Sequence, residues 1–524
     1  MSDDQTMFSR QRVGDVWHNW HETQSAQIAR VDVISRPPDD LSYNTSSINR
    51  CTTQIQRAIR EAKQDGLECR AVGRGWSLSK APMTSGVMID IAQLNMMKRI
   101  HHSQVEASYP GDKTRRRGLV MVQGGAYVSE LNRWLEASGR KLSLRTSGAA
   151  NGQTIAGATQ TGTHGSALEF GAMHDAVVSI HLLAGDTKQY WIERASYPVI
   201  KESVPNAYGA ELIRDDDLFN AVVMGLGAFG VIHNMVLEAR PRFMLEAHNF
   251  KDDRNGQPIV LDQAMRRRIA DLDFTTDPHL DPVGASGTPY FFQTILNPNT
   301  NPPQVLLTHM YEQEWDPSRP IDYTMPENSF GPGYDTLSID GRVLNALDFL
   351  VPLFANLISG QIFQTGLRKG TWGELFGYKT LRTKVVSGTV AVPLEHAVAA
   401  LDALIELNAD EGPVPLVFGC RYVKKSHALL AFNKWDTTCV VGIDGIYNQD
   451  SLRFYDLIPA KMEQAGIPFT QHWGKENAYT PARVRETYGD AAVDTWISAR
   501  ERLLPDPADR VTFSTAKLRS VGLA

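Results

Sequence analysis

The sequence is short of several features that would place it in a specialised class. Its net charge is -6, and it has no sustained run of lysine and arginine, so nothing indicates a nucleic-acid-binding surface. Four scattered cysteines in 524 residues are too few for a disulfide framework or a zinc site. The polar, acidic N-terminus lacks the apolar core of a signal peptide, and we expect a cytoplasmic protein.

Long hydrophobic runs are equally scarce. The strongest, Val343 to Ile358, contains Asp348, Pro352 and Asn356 and is shorter than the ~20 residues that a membrane span requires. We therefore predict no transmembrane span. A buried or cap-lining helix is expected there, and a surface that admits apolar substrates is the alternative.

What the chain does contain is enough apolar sequence for two or three domains, with 42% hydrophobic and 21% charged residues. The part up to about residue 240 is rich in glycine and short strands, and its pattern predicts a helix at Thr53 to Lys63 and a buried strand at Val177 to Ala184. The part from 241 to 470 predicts a helix after Pro393 and strands at Leu416 to Val423 and Cys439 to Ile443. Helices on one face of an antiparallel sheet suit a substrate-capping domain.

Three glycine-rich segments are candidate cofactor loops. The first, residues 73–77, follows a strand, and its glycines would let consecutive N–H groups approach a phosphate, although a simple turn is the alternative. The second, residues 154–166, is dense in Gly, Ala and Thr; we expect irregular backbone there, against which a flat ligand can lie. The third, residues 225–232, resembles a dinucleotide fingerprint, but its spacing and the strand expected after Gly230 disfavour a Rossmann domain.

These segments, together with Gln471-His472-Trp473-Gly474-Lys475, resemble the vanillyl-alcohol oxidase/p-cresol methylhydroxylase superfamily. The His-Trp-Gly-Lys motif is similar to that of the aldonolactone and alditol oxidases, to which the flavin cholesterol oxidases are also similar. The resemblance implies an α+β, two-domain flavoprotein with a PCMH-type FAD-binding domain and a substrate (cap) domain built on an antiparallel sheet flanked by helices. Its implied boundaries are 1–240 for the FAD-binding domain (core about 38–240), 241–470 for the cap domain, and 471–524 for a segment that returns to the FAD domain.

The resemblance also implies FAD as the cofactor. The positions that match the FAD-binding motifs of relatives are Gly73, Arg74, Gly75, Trp76, Ser77, Gly148, Gly157, Thr161, Gly162, Thr163, His164, Gly165, Ser166, Gly230, Val231 and Ile232. Many relatives have, in place of Trp76, a histidine that bonds covalently to the flavin, so we expect non-covalent FAD here. Gly148 falls where relatives control oxygen access to the flavin, and a small residue there resembles the oxidases.

The catalytic candidates are Lys475, Arg421, His472 and Asp444. The two cations would stabilise the negative charge of a reduced flavin; a surface lysine and a strand salt bridge are the alternatives. His472 has a pKa range that suits a proton acceptor, or it is a packed core residue. A turn is expected at Asp444-Gly445, with substrate binding by Asp444 as the alternative. His18 and His21 have no further ligands nearby, so we expect no metal site and read them as an ordered N-terminal segment.

The expected function is that of an FAD-dependent oxidase that removes a hydride from the carbon of an alcohol or lactol, with O2 as acceptor and H2O2 as product. Ala149 and Gly419 stand where alditol oxidases have a serine and a glutamate, and neither offers a side-chain hydrogen bond. The small-molecule alcohol is therefore expected to be larger and less polar than a sugar alcohol. The alternatives are a dehydrogenase that uses another acceptor or attacks a C–N or C–C bond, and an inactive flavin-binding protein.

Overall fold

The computed structural model describes residues 6–39, 42–110, 115, 117–137, 139–148, 150–285, 287–323, 365–376 and 384–524. The expectations for Val343 to Ile358 and for Ala149 lie outside these residues. Among the helices in these ranges, none is long and apolar enough to cross a membrane. The predicted cytoplasmic location is not tested by that finding and stays a prediction.

The N-terminal part of the chain forms a four-stranded sheet, a six-stranded sheet and two separate strand pairs. The strands are β1 (Phe8–Gln11), β2 (Val16–His18), β3 (Ser25–Gln27), β4 (Arg30–Ile34), β5 (Cys69–Val72), β6 (Val87–Asp90), β7 (Met97–Arg99), β8 (Leu119–Gln123), β9 (Leu142–Ser143), β10 (Val177–Leu183), β11 (Gln189–Glu193), β12 (Glu211–Arg214), β13 (Val231–Glu238) and β14 (Arg240–Pro241). The sheet orders are β1-β4-β6-β5 and β12-β11-β10-β13-β8-β7, while β2 pairs with β3 and β9 pairs with β14. The helices of this part are α1 (Thr45–Gln64), α2 (Val128–Glu136), α3 (Ile155–Thr161), α4 (Ser203–Ala207) and α5 (Asp216–Val222).

Helix α1 is longer than its sequence pattern predicts. It begins after Asn44, whose side chain accepts a hydrogen bond from the Ser47 N–H, rather than at Thr53. Its first two turns are rich in Ser, Thr and Asn, which are weak helix formers, so the pattern placed the start too late. Burial of Ile48 and Cys51 against the sheets stabilises these turns in spite of that composition.

The expectation of irregular backbone across residues 154–166 is wrong for the first half of that segment. Residues Ile155–Thr161 form α3, with the Thr154 hydroxyl capping its N-terminus and Gly162 ending it at φ +89°. Small residues let this short helix pack closely, and Ile155, Ala156 and Ala158 are buried. The pattern failed because the caps and tertiary packing, rather than helix propensity, stabilise the helix.

The second part of the chain is built on a seven-stranded antiparallel sheet. Its strands are β15 (Met244–Phe250), β16 (Phe291–Asn297), β17 (Gln304–Gln313), β18 (Gly366–Gly370), β19 (Val385–Pro393), β20 (Leu416–Lys424) and β21 (Thr437–Ile446), in the order β18-β15-β17-β16-β20-β21-β19. Its helices are α6 (Gln263–Asp271), α7 (Trp372–Leu375), α8 (Ala397–Glu411) and α9 (Gln449–Gln464). Alternation along β20 sends Phe418, Cys420 and Tyr422 into the apolar core shared with α8 and α9, which leaves Gly419 and Arg421 on the opposite face.

The C-terminal residues return to the first part of the chain. They form α10 (Pro481–Tyr488), α11 (Asp490–Leu503), α12 (Pro507–Thr512) and α13 (Ala516–Ser520). Trp473, Trp496 and Leu503 belong to the same apolar core as the strands of the six-stranded sheet. The last segment is thereby held against the six-stranded sheet, and it carries Lys475 toward β21 of the seven-stranded sheet.

Candidate active site

A cavity of about 450 Å³ is lined by both the N-terminal sheets and the seven-stranded sheet. This volume is in the usual range for a ligand site. All the catalytic candidates named above line it: Arg421, Asp444, His472 and Lys475. So do most of the cofactor candidates: Gly73, Arg74, Gly75, Trp76, Ser77, Gly148, Gly157, Thr161, Thr163, His164, Gly230 and Ile232.

The remaining cofactor candidates lie behind the wall of the cavity. Gly162 is the left-handed end of α3, and a Cβ on it would lie 3.1 Å from the Phe432 ring. Gly165 approaches Thr146 so closely that a Cβ would lie 2.4 Å from that hydroxyl oxygen. Ser166 donates to the Phe292 carbonyl and accepts from the Tyr422 N–H at 2.8 Å. Val231 is fully buried in β13. These four positions therefore pack against neighbouring residues, and Ser166 links the first part of the chain to the seven-stranded sheet. Direct contact of these positions with FAD stays a prediction.

The loop of residues 73–77 has the donors that a pyrophosphate needs. Among the described residues, no protein acceptor takes a hydrogen bond from its five backbone N–H groups. Gly75 has φ +62°, a conformation that glycine adopts without strain. A run of unpaired N–H groups around such a residue forms an anion-binding nest.

A second feature of the cavity wall also fits FAD. Arg70, in β5, is 6% exposed, and its buried Nη1 has no partner among the described residues. Burial lowers the pKa of Arg70 to about 10, which leaves it cationic at neutral pH. A Cβ on Gly227 would lie 2.7 Å from that Nη1, so the third glycine segment lies against this cation. The partnerless cation and the nest of N–H groups together match the two phosphates of FAD.

Asp444 and Lys475 form an ion pair in the cavity, with Nζ 3.5 Å from Oδ1. Burial alone would raise the pKa of the Asp444 carboxyl, but Lys475 and Arg421 outweigh it, with help from the Ser387 hydroxyl that donates to Oδ1, and the pKa is lowered. The Asp444 side chain is 40% exposed, and what it faces is the cavity. An ionised carboxylate is thus presented to any ligand there.

The same geometry corrects one expectation. The prediction of a turn at Asp444-Gly445 is wrong, because β21 continues to Ile446 and pairs Asp444 with both Ser387 and Val417. Glycine marked a turn in the pattern, whereas here Gly445 is required by packing: a Cβ would lie 2.2 Å from the Pro415 carbonyl. The extended strand is what brings the Asp444 side chain to the cavity face.

The two cations of the site differ in their partners. Burial lowers the pKa of Lys475, as does Arg421, while Asp444 acts in the opposite direction. Lys475 is therefore no surface lysine. The Arg421 Nε donates to the Gln293 Oε1 at 2.9 Å, and no carboxylate of the described residues forms an ion pair with it. Its outer guanidinium edge is left for the cavity contents.

Two of the histidines that line the cavity, His472 and His164, are held neutral. Burial, followed by the charge of Lys475, lowers the pKa of His472 to about 3. Its Nδ1 accepts from the Gly474 N–H at 3.0 Å, and it also bonds the Gly162 backbone. The burial of the ring and its hydrogen bond to the Gly474 N–H favour the packed-residue alternative over proton transfer. His164 is likewise buried, with a pKa well below its ordinary value, and its Nδ1 bonds the Gly165 carbonyl at 3.0 Å.

Several residues of the site were not singled out from the sequence. Ser387 and Gln293 act on Asp444 and Arg421 through cross-strand pairing, and only the register reveals them. Gln160 lines the cavity, donates to the Val222 carbonyl at 2.9 Å and accepts from the Gly227 N–H at 3.1 Å. Arg70 did leave a signal, since a charged residue in an otherwise apolar strand that precedes Gly73 is unusual.

The comparisons with known proteins agree with an FAD site in this cavity. Residues 49–193 match a family described as an FAD-binding domain. The chain is 24% identical over 496 residues, 94% of its length and 96% of the other's, to an L-gulono-1,4-lactone dehydrogenase of Mycobacterium tuberculosis. The chain is also similar to a D-arabinono-1,4-lactone oxidase of Debaryomyces hansenii, with 25% identity over 38% of this chain and 32% of the relative.

Among solved structures, a cholesterol oxidase from B. sterolicum matches with a TM-score of 0.67 and 14% identity, over 98% of this chain and 97% of that one. At that identity the likeness shows the fold alone. With the domain match, it confirms the PCMH-type FAD-binding fold, the cap domain on an antiparallel sheet, and FAD as the cofactor. The chain is an FAD-dependent oxidoreductase that is similar in sequence to aldonolactone dehydrogenases and oxidases.

Proposed function

We propose that this chain, an FAD-dependent oxidoreductase with the PCMH-type fold, is an oxidase that converts the CH–OH carbon of an alcohol or lactol into a carbonyl. The observation that carries the proposal is the Lys475–Asp444 pair beside Arg421, on the cap side of the FAD cavity. When bound, FAD supplies the two-electron acceptor for the hydride that leaves the alcohol carbon.

The chain's own residues handle the proton and the charge. The ionised Asp444 accepts a hydrogen bond from the substrate hydroxyl and takes its proton as the carbon is oxidised. Ser387 donates to Oδ1 and so orients the carboxylate. Lys475 keeps that carboxylate ionised, and Arg421, braced by Gln293, adds the positive charge that favours electron transfer into the cavity.

Oxygen is the proposed second substrate, and Gly148 supports it. Gly148 lines the cavity, and a Cβ on it would lie 2.8 Å from the Thr163 Cγ2. With glycine, this part of the wall stays open to a molecule as small as O2, which would leave as H2O2.

The substrate is proposed to be larger and less polar than a sugar alcohol. On the cavity face of the cap sheet, Gly419 pairs with Gly442, so no side chain projects there. Val385 and Ile446 line the cavity nearby. Peroxide production should be measured with xylitol and sorbitol against bulkier alcohols and lactols. The proposal expects turnover of the bulkier set; steady turnover of the polyols alone would overturn it.

A dehydrogenase is the second candidate, because the relative aligned over most of the chain carries that name. The two functions differ in the fate of the reduced enzyme. Rapid mixing of substrate-reduced enzyme with air-saturated buffer should return the oxidised flavin spectrum within the turnover time if the chain is an oxidase. Reoxidation far slower than turnover with an artificial acceptor would favour the dehydrogenase.

We also propose that FAD is held without a covalent bond, because Trp76 stands where a linking histidine stands in many relatives. Acid precipitation of the yellow protein should release the colour into the supernatant. Colour that stays in the pellet would mean that another residue attaches the flavin.

A further inference from the structure

The hairpin of β2 and β3, residues 16–27, lies against the 73–77 loop of the cofactor cavity. The matched FAD-binding domain begins at residue 49, so that match gives the hairpin no role. The tip of the hairpin is nevertheless buried: Trp17 and His21 are each 8% exposed, and Asn19 is 1% exposed. Segments near a chain end are ordered this well only when specific contacts hold them.

Two hydrogen bonds join the hairpin to carbonyls of the loop. The Trp20 N–H donates to the Gly75 carbonyl at 2.8 Å, and the Asn19 side-chain amide donates to the Ser77 carbonyl at 3.0 Å. The Asn19 Oδ1 also accepts from the N–H of Thr23 at 2.9 Å, so one side chain shapes the tip and fixes the loop. Because these donors hold the loop through its carbonyls, the N–H groups of the loop stay available for an anion.

Aromatic packing adds to these bonds. The Trp20 and Trp76 rings are stacked, with centroids 5.8 Å apart and planes 12° from parallel. His21 meets Trp76 edge-on at 5.3 Å. A Cβ on Gly75 would lie 2.6 Å from the Trp17 ring, so the hairpin approaches more closely than any other residue at position 75 would permit.

The hairpin also reaches the catalytic side of the cavity. His21 lines the cavity directly. The Gln24 Nε2 donates to the Glu476 Oε1 at 2.9 Å, and Glu476 follows Lys475 in the chain. One short segment thus contacts both the phosphate loop and the turn that carries the buried lysine.

We propose that the tip of this hairpin, Asn19 to His21, is part of the FAD site, in which Trp20 fixes Trp76 and the phosphate loop while His21 contacts the cofactor. Docking of the hairpin and binding of FAD are then coupled, and each strengthens the other by the same factor. A chain without a covalent tether depends on such contacts to retain its cofactor.

The test is a titration of apoprotein with FAD, followed by the change in flavin fluorescence, for the wild type, Trp20→Ala, His21→Ala and His18→Ala. His18 is on the same hairpin but is exposed, which makes His18→Ala the matched control. We expect the dissociation constant to rise roughly tenfold for Trp20→Ala, since an aromatic pair contributes about that factor beyond its buried area. A rise of roughly threefold or more is expected for His21→Ala, and none for the control. Equal affinity in all four proteins would overturn the proposal.

A second pair of measurements separates cofactor binding from folding. Trp20→Phe keeps an aromatic ring and should recover most of the affinity, and the melting temperature of each apoprotein shows whether the fold is intact. If Trp20→Ala does not fold, His21→Ala and Trp20→Phe decide the matter. Trypsin cleavage after the exposed Arg12 should slow when FAD is added to the wild type, and an unchanged rate would contradict the coupling. Neither readout depends on catalysis, so failure of the proposed oxidase activity would not be mistaken for failure of this inference.

Discussion

Asp444→Asn is the substitution that tests the proposed proton transfer most sharply. It keeps the shape of the side chain and removes the charge that Ser387 orients and Lys475 balances at 3.5 Å. A positioned general base contributes about 10²- to 10⁴-fold to a rate. We therefore expect the rate constant of flavin reduction to fall about 10³-fold, which corresponds to about 4 kcal/mol of transition-state stabilisation.

The loss should not come from unfolding. At 3.5 Å and an effective dielectric constant of about 20, the ion pair is worth about 5 kcal/mol before desolvation and screening. Because the Asp444 side chain is 40% exposed to the cavity, its net contribution to stability is far smaller, about 1 kcal/mol. A folded protein with about 5–15 kcal/mol of stability tolerates that loss.

The assay is anaerobic rapid mixing of the FAD-loaded protein with substrate, with flavin bleaching followed over a range of substrate concentrations. Asp436→Asn is the matched control, because Asp436 is exposed and precedes the same strand, β21. A reduction rate within threefold of the wild type would refute the assigned role. A rise in KM with kcat unchanged would show that Asp444 binds substrate without accepting its proton.

Three further outcomes are expected. Neither His472 nor His164 should give an inflection in the rate of flavin reduction between pH 5 and pH 8, because burial lowers the pKa of His472 to about 3 and that of His164 well below its ordinary value. On the acid side the rate should fall as pH drops through the lowered pKa of Asp444, below its ordinary 3.8. An inflection near 6.5 that persists in His21→Ala would contradict this assignment. Gly148→Ala should slow reoxidation by O2 roughly tenfold while flavin reduction by substrate changes little, because the added Cβ would lie 2.8 Å from the Thr163 Cγ2 and narrow the path of O2 to the flavin. Equal slowing of both steps would indicate a general distortion of the site. Ser166→Ala should lower the free energy of unfolding by about 1–3 kcal/mol in urea, because the Tyr422 N–H and the Phe292 carbonyl lose a buried partner, whereas Ser318→Ala at an exposed site should leave it unchanged.

The regular elements around the cavity could be predicted where apolar residues recur with a clear period. The strand expected at Val177 to Ala184 is Val177–Leu183, and that expected at Leu416 to Val423 is Leu416–Lys424. The helix expected after Pro393 is Ala397–Glu411. These elements bury apolar residues along a face or along their whole length, so the sequence pattern and the tertiary structure agree.

The wrong predictions share a cause. Thr154 and Gly162 cap a short helix in a segment of weak helix formers, and Gly445 continues a strand where glycine usually marks a turn. In both places the local preference of the residues is overruled by close packing against another part of the chain. Such contacts have no local sequence signature.

The chemistry of the site could be predicted only in part for the same reason. The motif that carries Lys475 and the position of Arg421 were recognised from resemblance, and both side chains line the cavity. The partners that set their behaviour, Ser387 and Gln293, come from neighbouring strands, and the hairpin of residues 16–27 comes from outside the matched domain. Strand register and the docking of a terminal segment are tertiary facts that one sequence does not reveal.

The most direct test of the central claim is a single-turnover experiment without oxygen, in which FAD-loaded protein is mixed with a panel of alcohols and lactols and the products are identified. The account predicts that at least one bulky alcohol or lactol bleaches the flavin and yields one equivalent of the corresponding carbonyl compound or lactone per flavin. It also predicts that Asp444→Asn slows this step by about 10³-fold. No bleaching across the panel, or bleaching by an amine or a saturated C–C substrate with the hydroxyl carbon untouched, would contradict the claim that this cavity oxidises a CH–OH carbon.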